Sequence, residues 1–207
     1  HIVLPNHWQA NARFSKVNSD GFLYRTESDL YSYYGDLGWY GVKTQVIARF
    51  FGGSEKTGMG WDGVDYNTAY GINGADRRYN PAGEYTTTAM DGSDSIAYYP
   101  NQTDNYAQQH AQLSLIHRLS TRWTLSATAH YTHGAGYYEQ YKRKKLSYWG
   151  LPYSHKAYGM YRKQLDNHFF GGVVSAKYIS EPIDIQLGGA ANYYMGDHFG
   201  TLHYLED

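Results

Sequence analysis

Four stretches that alternate apolar and polar residues, each following a short turn, constrain this chain more than any other feature. They are Trp8 to Phe14, Thr44 to Phe50, Trp123 to Tyr131 and Ile183 to Tyr193. A period of two belongs to an extended strand, whose successive side chains point to opposite faces. The last three are each preceded by another strand across a short turn. These are Leu30 to Tyr40 before Gly41-Val42-Lys43, Tyr106 to His117 before Arg118 to Thr121, and His168 to Tyr178 before Ile179 to Pro182. Strands joined in this way form antiparallel hairpins. His1 to Leu4, before Pro5-Asn6, is expected to end one more descending strand, so that the chain holds roughly eight strands of about 10 residues each.

At their other ends the hairpins are joined by Asn18 to Asp29, Ser54 to Asp104 and His133 to Asn167, polar stretches rich in Gly, Asn, Asp and Tyr that we expect to be loops. The second is far longer than the connections of compact soluble domains. Short turns at one end and long loops at the other are the pattern of an outer-membrane barrel, with periplasmic turns and extracellular loops. The expected fold is therefore all-β, an antiparallel transmembrane β-barrel segment of long hairpins. No run approaches the roughly 18 apolar residues of a membrane helix, but a spanning strand needs only about 9–11 residues with every second one apolar. The low mean hydropathy is compatible with such a wall. The aromatic residues Trp8, Trp39, Tyr40, Trp123, Tyr131, Tyr178, Tyr193 and Tyr194 lie near strand ends, where interfacial girdles belong.

Register gives a further expectation, because a slip of one residue exchanges the two faces of a strand. Pairing Trp39 with Val46 matches Leu37 to Ala48 and Asp36 to Arg49, but leaves Ile47 on the polar face. A third hairpin centred near position 120 sets Leu115 against Leu125 and His110 against His130. In the fourth, Tyr178 against Ile183 brings Lys177 to Asp184 as a cross-strand ion pair.

Composition excludes several functions. Eighteen basic and nineteen acidic residues give a net charge of −1, which offers no footprint for nucleic acid. The absence of cysteine removes thiolate zinc sites, disulfides and cysteine nucleophiles. No Ser-His-Asp arrangement or carboxylate pair stands out, so no enzymatic activity and no catalytic residue are expected. His110 and His130, with His133 beyond, are expected to hydrogen-bond within a polar lumen; a metal site needs three or four ligands, and neither metal nor cofactor is expected. The pairs Gly52-Gly53, Gly171-Gly172 and Gly188-Gly189 lie in or beside strands and read as bends or close approaches in a curved wall.

Several strings together resemble one family: Arg13-Phe-Ser-Lys-Val-Asn-Ser-Asp-Gly-Phe22, Ser28-Asp-Leu-Tyr-Ser-Tyr-Tyr34, Phe51-Gly-Gly-Ser-Glu-Lys-Thr57, Arg78-Tyr-Asn-Pro-Ala-Gly-Glu-Tyr85, Gln102-Thr-Asp-Asn-Tyr106 and His130-Tyr-Thr-His-Gly-Ala-Gly-Tyr-Tyr-Glu-Gln-Tyr141. In order and spacing they look like the middle of the barrel of TonB-dependent outer-membrane receptors, particularly those of Bacteroidetes. The resemblance implies a barrel of about 22 strands with a plugged lumen, of which residues 1–207 supply roughly a third. It also implies a plug domain, absent here, through which TonB acts. The function implied is active import of a scarce nutrient, such as a ferric siderophore, haem or cobalamin, across the outer membrane of a Gram-negative bacterium. The expected partners are membrane lipid, TonB and a small-molecule or metal-chelate ligand. A targeting signal is expected outside the chain, which is read as a fragment.

Aromatic faces and Arg forks suit ligand capture by the loops. The candidates are Trp61, Arg77, Arg78, Tyr79 and Tyr85 in the second loop, and Tyr138, Tyr141 and Trp149 in the third. The same side chains could instead pack the loops into a rigid rim. A competing reading is a soluble carbohydrate-binding β-domain whose aromatic loops stack on sugar rings.

Overall fold

The computed structural model describes residues 2–206. The chain is all-β, and its eight long-range strands pair antiparallel in the order β1-β2-β3-β4-β7-β8-β9-β10. They span Ile2–Leu4 (β1), Trp8–Ser19 (β2), Ser28–Tyr40 (β3), Thr44–Gly58 (β4), Thr103–Arg118 (β7), Trp123–Lys145 (β8), Lys156–Ser180 (β9) and Ile183–Glu206 (β10). Between β4 and β7 the chain forms a short helix α1 (Tyr66–Tyr70) and a separate hairpin of β5 (Glu84–Thr88) and β6 (Asp94–Tyr98). The sheet is open, with β1 and β10 at its edges.

Each tight turn joins neighbouring strands at one end, as the alternation requires. The β3–β4 register is the expected one, with Trp39 opposite Val46, Leu37 opposite Ala48 and Asp36 opposite Arg49. The next two hairpins keep their expected faces but are displaced by two residues. Leu115 lies opposite Ala127, His110 opposite Thr132 rather than His130, and Ile185 opposite Tyr178. A shift of two preserves side-chain parity, so alternation alone does not resolve it. Lys177 and Asp184 still meet, diagonally, at 3.2 Å. Ile47, the expected exception on the polar face, is buried. The Tyr40 ring folds back over Gly38, the residue opposite Ile47, and covers that patch.

The third loop is much shorter than expected. β8 and β9 continue as paired strands through most of 133–167, leaving only 146–155 as a connection. At 25 residues, β9 extends over about 80 Å, more than twice the roughly 30 Å of a bilayer's hydrocarbon core. The glycine pairs do lie within strands: a side chain on Gly53 would come within 2.4 Å of the Tyr31 carbonyl, and one on Gly171 within 2.3 Å of the Ala191 carbonyl.

The two faces differ along the tight-turn half of the sheet. One carries Trp39, Val46, Leu115, Ala127 and Val174 in one row, then Leu37, Ala48, Leu113 and Ala129, then Phe50, Ala111, Tyr131, Phe170 and Tyr193. The opposite face carries a hydrogen-bonded polar lattice. Asn11 donates to Asp36 at 2.9 Å, Arg49 to Ser114 at 3.0 Å, and Ser114 meets Thr128 at 3.0 Å.

Candidate functional site

Beyond the apolar band, the polar face continues up the long strands, and period two aligns Tyr106 of β7, Tyr138 of β8, Lys163 and Leu165 of β9, and His198 and Gly200 of β10. These residues form one wall of a cavity of about 770 Å³, completed by Asp104, Glu55, Tyr161 and Leu202. The other wall is the connection after β8. Leu146, 1% exposed, anchors a single 3-10 turn, Leu146–Trp149, which Gly150 ends in the left-handed conformation at φ 79°. The Leu146 and Ser147 amides donate to the His155 and Tyr153 carbonyls at 3.0 Å, so the turn is tied at its base. It presents Tyr148 and Trp149 to the cavity, both about 6 Å from the Tyr161 ring.

Glycine makes the space for two of these rings. A side chain on Gly134 would collide with the Tyr106 hydroxyl at 2.1 Å, and one on Gly159 would meet the Trp149 indole at 2.7 Å. The Trp149 indole nitrogen is buried without a hydrogen-bond partner, whereas Tyr161 donates to Gln140 at 2.8 Å. The Lys163 ammonium donates a hydrogen bond to the Tyr138 oxygen, which raises the Lys163 pKa, and burial raises the Asp104 pKa. The cavity can thus stack planar or ring-shaped groups and meet polar groups with one cation and two carboxyls.

A second cluster holds the β4–β7 connection against the other face. Tyr85 packs edge-on against Tyr141 and Tyr158, with Tyr99 tilted against Tyr141. Glu139, 3% exposed, accepts from Arg162 at 2.7 Å and from the Tyr99 hydroxyl at 2.5 Å. Burial, then Glu139, push the Tyr99 pKa up. Asn80 forms a buried knot: it donates to the Tyr24 and Met59 carbonyls at 2.9 and 2.8 Å and accepts from the Ala82 amide. Arg25 lies 3.9 Å from the centre of the Tyr98 ring, fastening the first connection to the second.

The eight candidate residues divide between these places. Tyr138 and Trp149 line the cavity, and Trp61 meets Tyr138 edge-to-face at 5.5 Å. Tyr85 and Tyr141 belong to the packing cluster, where the Tyr141 hydroxyl bonds Glu206. Arg78 donates to the Phe22 carbonyl and covers Tyr24, while Arg77 lies along Gly71. Tyr79 bonds Glu84, which raises its pKa to about 12. Sequence reasoning did not single out Asp104, Tyr106 or Lys163. Their place on the cavity face follows from the register of the four long strands, which alternation does not give.

No family model matches the chain, and no curated protein or solved structure matches it either.

Proposed function

We propose that the chain forms part of the wall of an outer-membrane β-barrel of the TonB-dependent transporter type, with the 770 Å³ cavity as a ligand-capture surface at the extracellular end. One observation carries the reading. The apolar band crosses the sheet from edge to edge, and no second layer covers it among the described residues: Phe14 is 69% exposed, Leu113 54% and Leu187 71%. A contiguous apolar surface of that extent marks an interaction with another apolar phase. Lipid suits the band, because alternating strands with polar lumen sides are the β solution to spanning a membrane. The open edges then belong to further strands of the barrel, which would leave no unpaired edge in the bilayer. The transported ligand would be a bulky nutrient with ring systems and polar groups, in keeping with the aromatic walls, Lys163 and the two carboxyls. No catalytic step is proposed.

The test is partitioning. The expressed chain, or a longer protein containing it, is expected in the outer-membrane fraction and to require detergent for extraction. A monodisperse monomer in detergent-free buffer would overturn the reading and favour a soluble carbohydrate-binding domain.

A further inference from the structure

Two histidines of the polar face have neutral hydrogen-bond partners: His110 Nδ1 lies 2.8 Å from Thr132 Oγ1, and His130 Nε2 lies 2.9 Å from Asn192 Oδ1. On the opposite face the arrangement differs. Just beyond the Tyr131, Phe170, Tyr193 row, β8 and β9 pair His133 directly with His168, and the two imidazoles stack with centroids 4.7 Å apart. Asp166, two residues from His168, shares that face. Its Oδ1 lies 2.8 Å from His133 Nε2 and 3.6 Å from His168 Nε2. One ligand atom from each of the three residues falls within 4.8 Å of the others. Donors bound to one tetrahedral zinc ion at its usual bond lengths stand about 3.3 Å apart, so little movement is needed to close the set.

Two further observations point to a cation. His168 Nδ1 lies 2.8 Å from the Tyr131 hydroxyl, which fixes the ring and leaves Nε2 free to ligate. β10 also sets Asp197 directly opposite Asp166. Like charges so placed destabilise a strand pair, and neither carboxylate is bridged to a lysine or arginine among the described residues. A bound cation would relieve that repulsion.

We propose that His133, His168 and Asp166 form a binding site for a divalent first-row transition metal, of which Zn²⁺ is the probe. Two imidazoles and a carboxylate suit such a metal better than Mg²⁺ or Ca²⁺. They leave at least one coordination position open to solvent. The site lies on the same face as the apolar band, just beyond it, and its three side chains remain 35–49% exposed.

The experiment titrates the purified full chain, folded in detergent, with Zn²⁺ in a calorimeter and with Co²⁺ by visible absorption. A single equivalent of Zn²⁺ is expected to bind. Affinity should fall by about tenfold in Tyr131→Phe and further in His168→Ala and Asp166→Asn, while His110→Ala titrates like the wild type. Circular dichroism checks that each variant keeps its sheet. Should His168→Ala fail to fold, Asp166→Asn and the wild-type Co²⁺ spectrum decide. Wild-type binding in folded Asp166→Asn, or no stoichiometric uptake by the folded parent chain, would overturn the proposal.

Discussion

At the tight-turn end, Leu37, Phe50, Leu113 and Val174 stand exposed on one face, whereas at the other end Leu146, Asn80, Glu139 and Tyr161 are enclosed. Both ends use the same strands. Among the described residues nearly all the fully buried side chains belong to the upper strand ends and their connections, and Ile47 alone represents the lower half. The upper region thus has a packed interior of its own. The lower region is a single sheet with two open edges, and its apolar face has no packing layer among the described residues. The difference separates an intrinsic core from a borrowed one.

The largest effect expected from that difference is at Leu113. Leu113→Arg, at mid-height in the apolar band, should cost about 2–4 kcal/mol if that face meets lipid. Gln112→Arg, one residue away on the polar face, should be tolerated. Denaturant titration of the two variants in bilayers or detergent measures both. Equal tolerance would break the comparison, since the two faces would then be equivalent.

The matching perturbation in the upper region is Glu139→Ala. Removing one partner of a fully buried ion pair costs about 3–5 kcal/mol. Arg162 retains 32% exposure and so can recover solvation, which puts the expected loss nearer about 2 kcal/mol. Hydrogen exchange should quicken across β5 and β6 and stay unchanged in the tight-turn half. Exchange rising equally in both halves would mean that they unfold as one unit.

The same division governs what was legible in the sequence. In the lower half one face is apolar and the other polar, so alternation identifies the strands and assigns Leu113 and Gln112 to their sides. It leaves the registers of the last two long hairpins open by two residues, because only turn length distinguishes alignments of equal parity. Leu119–Arg122 takes four residues there, whereas Glu181-Pro182 takes two. Above position 133 both faces carry Tyr, Gln, His and charged residues, the contrast vanishes, and paired strands look like loops. Tyr138 and Trp149 could be picked out as aromatic residues, but their partners Tyr106 and Lys163 depend on register across four strands. The packing roles of Tyr85, Tyr141 and Arg78 depend on how the connections fold back, which no local pattern encodes.

The smallest effect concerns the cavity wall and has a defined pH signature. Burial raises the Asp104 pKa, so between its unfolded and folded values the folded protein holds more protons at this site than the unfolded chain. This group's contribution is therefore undiminished below the ordinary carboxylate value of about 3.9, and stability is lost as pH rises through the raised folded value. Asp104→Asn removes that dependence. Relative to the wild type, the variant should gain stability between about pH 3 and about pH 7, as measured by the unfolding midpoint of the upper region. A wild type that gains instead would mean that a cation, such as Lys163 on the same wall, already stabilises the carboxylate. In the expected case the charged carboxyl is under-solvated where burial in the cavity wall removes it from water. The sign of this small difference therefore tests whether burial in the cavity wall disfavours the charged form of Asp104.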